Sequence, residues 1–355
     1  MNDSIPKIPL TRADGSAQDS PAAPIALARA MRSRLAAWWE TNARDLPWRF
    51  GRATPWGVLV SEVMSQQTQM SRVVPYWQAW MRMWPGPAEL AAASTAEVIT
   101  AWGRLGYPRR ALRLQECARV VAEDCGGRVP DEYDALVALP GIGDYTASAV
   151  LSFAYGRRVP VVDTNIRRVL SRALLGEESR GGAASRAERD LAGRALPQSA
   201  KDSVVWNQAV MELGALVCVA KSPLCGECPI ADGCRWLAAG RPGLGERRTR
   251  PRQTFAGTNR QVRGIILDAL RKAGAGSGNM GSGNMGADGM GADGMGQSVA
   301  NTVGVAGADS RGGGLSREAL AALWHDRAQL DECIATLDED GLIEIAPDGS
   351  VMLPR

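Results

Sequence analysis

The chain of 355 residues has no run of about 18 apolar residues, so no segment reads as a membrane-spanning helix. Residues 1 to 24 mix Asp, Ser, Pro and Lys without a continuous apolar stretch. That pattern argues against a secretory signal, and we expect a disordered start to a cytoplasmic protein. There is one histidine, His325, beside Trp324; with no matching ligands it reads as a capping or surface residue, not a metal site. Lysine is nearly missing: Lys7, Lys201, Lys221 and Lys272 are the four among 41 basic residues. Alternating β-branched runs are sparse before Gly240, which argues against a large sheet. What the chain does have is an apolar share of 45%, sufficient for a well-filled core.

From Ile25 the apolar residues Leu27, Met31, Leu35, Trp38 and Trp39 recur at helical spacing until Asp45, Leu46 and Pro47 break the stripe. The same rhythm continues to Gly240, in segments of roughly 10 to 18 residues separated by Pro or Gly. Residues 25–240 are therefore read as all-helical. Residues 241–258 read as a linker, since prolines and like charges crowd residues 241–252. The near-repeats within 273–314 offer no large apolar side chain except Met and predict a disordered insertion. Helices are expected over 260–272, 315–324 and 326–339, followed by a hairpin whose strands flank Pro347-Asp348-Gly349. Three helices and a hairpin resemble a small winged-helix unit spanning 259–355.

Seven cysteines in a reducing compartment are not expected to pair. Four of them, Cys218, Cys225, Cys228 and Cys234, form C-x6-C-x2-C-x5-C, with prolines and glycines between them that turn the chain about a centre. Four thiolates that close require a cation, and both a [4Fe-4S] cluster and a zinc ion take four cysteines. Cys117, Cys125 and Cys333 are scattered and read as ordinary thiols.

Three further segments carry chemistry. Leu-Pro-Gly-Ile-Gly-Asp at 139–144 separates two predicted helices, the second over 145–155; Gly141 and Gly143 permit a tight turn that aims backbone N–H groups at a phosphate. In a helix beginning near Pro55, Glu62 shares a face with Val58, Leu59 and Gln66. Buried there, its carboxyl would hold its proton nearer neutrality. Asp163 precedes Thr-Asn-Ile-Arg-Arg and suits the N-cap of a helix through Leu170.

Together these segments resemble the endonuclease III superfamily of DNA glycosylases. The cysteine spacing is similar to that superfamily's cluster loop, which implies a [4Fe-4S] cofactor, mainly structural and DNA-associated, on Cys218, Cys225, Cys228 and Cys234. The 139–144 segment resembles its helix-hairpin-helix. Tyr145 stands where relatives that cut the backbone through a Schiff base carry Lys, and no lysine is near it in sequence, which disfavours that reaction. Leu-Pro-Trp-Arg at 46–49, followed by Ser-Glu-Val-Met-Ser-Gln-Gln-Thr-Gln at 61–69, resembles the MutY-type adenine glycosylases over roughly residues 32 to 237. The implied fold is all-α and two-lobed, with a six-helix lobe at about 50–158 and a cluster lobe at about 25–49 and 159–240.

The resemblance also implies an activity: monofunctional removal of adenine mispaired with 8-oxoguanine or guanine in double-stranded DNA, by a protein expected to be a monomer. Glu62, Tyr145, Asp163 and Asn165 match its catalytic positions. Trp48, Arg49 and Glu212 match the lining of its adenine pocket, Gln67 and Tyr107 its stack-filling residues, and Leu105 and Thr68 its contacts to the opposite base. Two other readings stay open: a thymine or uracil glycosylase acting on G mismatches, since thymine–guanine enzymes share the tyrosine, and a non-enzymatic cluster-bearing DNA-binding regulator.

The tail departs from this pattern. Nothing after Pro251 resembles the Nudix-like domain that many MutY proteins use to recognise 8-oxoguanine. Residues 315–355 hold nine Asp/Glu and three Arg, a balance of −6, so the net +3 of the chain leaves +9 for residues 1–314. An acidic end is expected to repel phosphates and to serve packing or a protein partner.

Overall fold

The computed structural model describes residues 22–179, 181–245, 255–277 and 314–355. Its helices are α1 (Ala23–Asn42), α2 (Pro55–Ser65), α3 (Met70–Met83), α4 (Pro87–Ala92), α5 (Thr95–Trp102), α6 (Arg109–Glu123), α7 (Tyr133–Val137), α8 (Asp144–Phe153), α9 (Thr164–Leu170), α10 (Arg186–Ala195), α11 (Ala200–Leu216), α12 (Arg235–Ala238), α13 (Asn259–Ser277), α14 (Arg317–Ala321) and α15 (Arg327–Glu339). The strands are β1 (Glu344–Ile345) and β2 (Val351–Met352). The chain divides into two compact units, Met1–Ala91 with Glu116–Pro251, and Ala92–Gln115 with Arg252–Arg355.

In the first unit, α1 buries Ala28, Met31, Leu35 and Trp39, residues three or four apart that form one apolar stripe. They share a core with Ile166 and Leu170 of α9 and with Trp206, Val210 and Leu213 of α11. Helix α2 starts on the proline-first signal: Pro55 stands at its first turn, and the Thr54 side chain caps it by accepting from the Gly57 N–H. Every residue from Trp56 to Met64 in α2 is buried, so this is a central helix rather than an amphipathic surface one. Helices α9 and α11 approach so closely that a Cβ on Gly214 would lie 2.7 Å from the Asn165 Cβ.

The second unit has its own core, in which Val262, Ile266 and Leu270 of α13 pack with Ile99 of α5, Ile334 and Leu337 of α15, and Val351 of β2. The hairpin is antiparallel with Glu344 opposite Met352 and Ile345 opposite Val351, and Leu315 bridges Val351 on its other side. The order of three helices and a hairpin is the one read from the sequence. Residues 92–115, read there as part of the helical core, group instead with the C-terminal residues, because the apolar face of α13 takes Ile99 into its cluster.

Other boundaries move a little. The start expected to be disordered lies outside the described residues except for 22–24, where α1 already begins at Ala23. Helix α13 does not end at Lys272 but continues to Ser277, with Ala269 and Ala273 still packed on the core; residues 278–313 of the Gly/Met insertion lie outside the described residues. Of the expected linker, 246–254 also lie outside them. No helix among the described residues is long and apolar enough to cross a membrane.

Candidate active site and cluster loop

An open cleft of about 1290 Å³ lies within the first unit, with Glu62, Gln67, Tyr145, Asp163, Asn165 and Trp48 among its lining. Glu62 reaches it from the middle of α2, and Tyr145 from the first turn of α8. The Tyr145 hydroxyl donates to Glu62 Oε2 at 2.6 Å. Glu62 is 8% exposed. Burial pushes its carboxyl up to about 7, the nearby Asp163 charge adds to the rise, and the Tyr145 hydrogen bond opposes it. Tyr145 itself is driven well above its ordinary value, first by burial and then by the Glu62 charge, so it stays a neutral donor.

Asp163 is the N-cap of α9: one carboxylate oxygen accepts from the Ile166 N–H at 2.6 Å, the other from the Asn165 side-chain amide at 2.8 Å. Burial raises its carboxyl above the ordinary aspartate value, while these two hydrogen bonds and the Arg168 charge favour the anion. Glu62 has one hydroxyl donor and Asp163 two N–H donors, so of the two carboxyls Glu62 is the better placed to keep a proton and Asp163 to keep a charge.

A third carboxyl, Glu212, shifts in the opposite direction. Glu212 of α11 is fully buried, and both its oxygens are held by Arg44 (2.7 and 2.8 Å) and Arg49 (3.1 and 2.8 Å). Burial alone would raise it; the two guanidinium groups overcome that and hold it at about 2. Glu212, expected in the lining, therefore sits behind the cleft as the anchor of the 44–49 segment, its hydrogen-bonding capacity already taken. Arg49 also lies 4.9 Å over the Trp39 ring, and Trp48 stands 5.4 Å from Trp77. Arg44 was not singled out by the sequence, where one Arg among many carries no signal of its partner.

From Asp163 a chain of polar contacts leads away from the cleft. Asn165 Oδ1 accepts from Arg168 at 2.7 Å, and Arg168 also donates to the carbonyls of Gly214 (2.6 Å) and Cys218 (2.7 Å). Arg168 was missed as well, although its place three residues after Asn165 on a helix is a usable signal. One turn of π-helix, Ser171–Leu175, follows α9 and presents the wholly buried Arg172, which donates to the Val219 carbonyl at 2.9 Å and lies 4.2 Å over the Trp236 ring.

The four cysteines occupy the loop from the end of α11 to the start of α12, folded by short 3₁₀ turns at Cys225–Glu227 and Ala231–Gly233. All four are half-buried. Burial raises the Cys218 and Cys234 thiols and pushes Cys228 up to about 12, and the neighbouring thiolates add to the rise. A donor set that resists becoming four anions by itself suits a polycationic iron core, with Arg172 placing a guanidinium nitrogen 3.5 Å from Cys218 Sγ. Among the described residues no three Cys, His, Asp or Glu side chains gather about a single point as ligands to one metal ion do. Ligands to the separate irons of a [4Fe-4S] cube have no need to.

The remaining positions are distributed as follows. Thr68 lines the cleft beside Gln67, whose φ of 55° is unusual for a residue with a side chain. Gly141 takes φ 77° in the turn before α8, and Gly143 is the extended N-cap of that helix. Leu105 and Tyr107 belong to the second unit: Tyr107 is 52% exposed, whereas Leu105, expected to approach a base, is buried at 3%.

Residues 60–192 match the family model of the HhH-GPD superfamily base excision DNA repair proteins, and residues 218–234 that of the iron-sulfur binding domain of endonuclease III. The cofactor of the loop is accordingly a [4Fe-4S] cluster. An adenine DNA glycosylase from Mycobacterium tuberculosis is 51% identical over 242 residues, 68% of this chain and 78% of that protein. The human adenine DNA glycosylase is 42% identical over 221 residues, 59% of this chain and 40% of that one. Among solved structures, a thermostable thymine-DNA glycosylase superposes with a TM-score of 0.55 at 28% identity, covering 60% of this chain and 98% of its own. By that identity over more than two thirds of the mycobacterial protein, and by the two family models, the chain belongs to the adenine DNA glycosylase family of base excision repair enzymes.

Proposed function

We propose that this chain removes adenine mispaired with 8-oxoguanine or guanine from double-stranded DNA, by hydrolysis of the N-glycosidic bond without cutting the backbone. The observation that carries this reading is Glu62: a carboxyl in the cleft pushed up to about 7 by burial, in a site that also holds Asp163, the hydrogen-bonded N-cap of α9. Adenine is a poor anionic leaving group. Glu62 protonates N7, the C1′–N9 bond breaks, and the Asp163 carboxylate stabilises the oxocarbenium-like sugar until water adds. Tyr145 and Asn165 fix the positions of the two carboxyls through hydrogen bonds to Glu62 and Asp163. Tyr145 offers no amine for a Schiff base, and among the described residues no lysine lines the cleft, which supports a monofunctional course.

The base leaves the stack to reach Glu62, at a cost of about a few kcal/mol, with Gln67 and Tyr107 filling the gap. Cys218, Cys225, Cys228 and Cys234 would hold the cluster in the loop after α11, where its contribution would be structural rather than chemical. The protein acts as a monomer in the cytoplasm, on nucleoid DNA. A panel of duplexes carrying A opposite 8-oxoguanine, A opposite G and T opposite G, with free base as the product measured, tests the reading. Adenine release is expected; exclusive thymine release would overturn it.

A further inference from the structure

Tyr107 has a setting that the reaction does not explain. It stands at the tip of a loop between α5 and α6, more than half exposed, with φ 48° following Gly106 at φ 83°. A side-chain-bearing residue held at positive φ is strained unless its surroundings fix it. Here the Gly106 carbonyl accepts from the Trp102 indole N–H (3.0 Å) and from Arg110 (3.1 Å), and Arg110 lies over the rings of both Trp102 (5.2 Å) and Tyr107 (5.7 Å).

The C-terminal residues complete this setting. Arg260, in the first turn of α13 and exposed, places its guanidinium 5.9 Å from the Tyr107 ring centre. Helix α13 is fixed to the residues before the loop, since Arg104 pairs with Asp268 at 2.8 Å and Arg271 donates to the Ile99 carbonyl at 3.2 Å. After the loop, Arg109 pairs with Asp340 at 3.2 Å. The acidic balance of this unit is also partly spent inside it: Asp340 is shared by Arg109 and Arg263, and Asp331 is paired with Arg317.

We propose that the C-terminal unit is a DNA-contacting part of the enzyme, with Arg260 the residue that makes the contact, to a phosphate flanking the step that Tyr107 enters. In the free protein the guanidinium rests against the tyrosine ring. A ring that slides between bases gives that face to a base, and the displaced cation, on a long exposed stem, takes the adjacent phosphate. An exposed cation–π contact is weak enough to be exchanged in this way. This inference rests on the reading of the chain as a glycosylase acting on duplex DNA, and it assigns to the tail a function in lesion search rather than partner binding.

The test uses the full-length, cluster-loaded protein carrying Glu62→Gln to stall the reaction, and a duplex with adenine opposite 8-oxoguanine, with Kd measured across a salt series. Neutralising one phosphate contributes about 0.9 to the slope of log K against log salt. Arg260→Ala is expected to weaken binding about three- to tenfold and to reduce the slope by about that amount, Arg260→Lys to keep the slope, and Arg317→Ala to change neither. An Arg260→Ala protein with the unchanged slope and Kd overturns the proposal. The two readings fail separately: if the protein with Glu62 intact releases no adenine the glycosylase reading falls, whereas release with an unchanged Arg260→Ala slope removes only the contact proposed here.

Discussion

Two buried glutamates, one lining the cleft and one behind it, have opposite acidities. Glu62 on α2 is pushed up to about 7, and Glu212 on α11 is held at about 2. Burial works in the same direction on both. The difference lies in what faces them: a single tyrosyl hydroxyl for Glu62, two guanidinium groups for Glu212. A carboxyl becomes a proton donor at neutral pH by being buried and left nearly alone; it becomes a structural anion by being buried and matched.

The largest effect should come from removing the proton itself. Glu62→Gln is expected to lower adenine release by about 10²- to 10⁴-fold, measured in single-turnover assays with mismatch binding retained. Unchanged release would break the comparison and favour a non-enzymatic reader of DNA. Behind the cleft, Glu212→Gln leaves Arg44 and Arg49 without their counter-charge, and a loss of about 3–5 kcal/mol in folding stability is expected by denaturant titration. Activity per folded molecule should fall far less than in Glu62→Gln; an equal fall would mean that both glutamates take part in the chemistry.

The wild-type pH dependence sharpens the contrast further. If protonated Glu62 is the acid, kcat/KM should fall about tenfold per unit as pH rises above about 7. The stability signs are opposite. Glu62, with its folded value above the ordinary 4.5, contributes most below pH 4.5, and that contribution is lost as pH rises through about 7. Glu212 contributes above its ordinary 4.5, and that is lost as pH falls toward about 2. The smallest effect is expected of Tyr145→Phe. Its hydroxyl favours the Glu62 anion, so losing it should move the alkaline limb upward by about one pH unit or less, following the roughly 1 kcal/mol of a hydrogen bond. A downward shift would show that Tyr145 bonds the acid form instead.

Much of this was legible in the residues. Pro55 announced the start of α2, the Glu62 face was mostly apolar, and Asp163 suited the N-cap of its helix. The cysteine spacing and the order of the motifs pointed to the family without any coordinates. What could not be read were pairings between distant residues. Arg44 and Glu212 are 168 positions apart, and no local pattern says that one arginine of many will reach across to spend a carboxylate expected in the lining. The unit boundary was hidden for a similar reason: Ile99 lies in an ordinary amphipathic helix, and only the fold shows that its apolar neighbours come from α13. Net charge is silent on pairing at the tail, where Asp340 is held by Arg263 and Asp331 by Arg317.

The glycine at 214 gives the molecule a blind spot for anyone searching variants by function. Its bare backbone lets α11 lie against Asn165, whose amide orients Asp163, and its carbonyl accepts from the arginine that also holds the Cys218 carbonyl. Adding a single methyl group there forces α9 and α11 apart beside Asn165 and the arginine that reaches the Cys218 carbonyl. A chain with that change would keep Glu62, Asp163 and all four loop cysteines, and is expected to lose both adenine release and cluster retention.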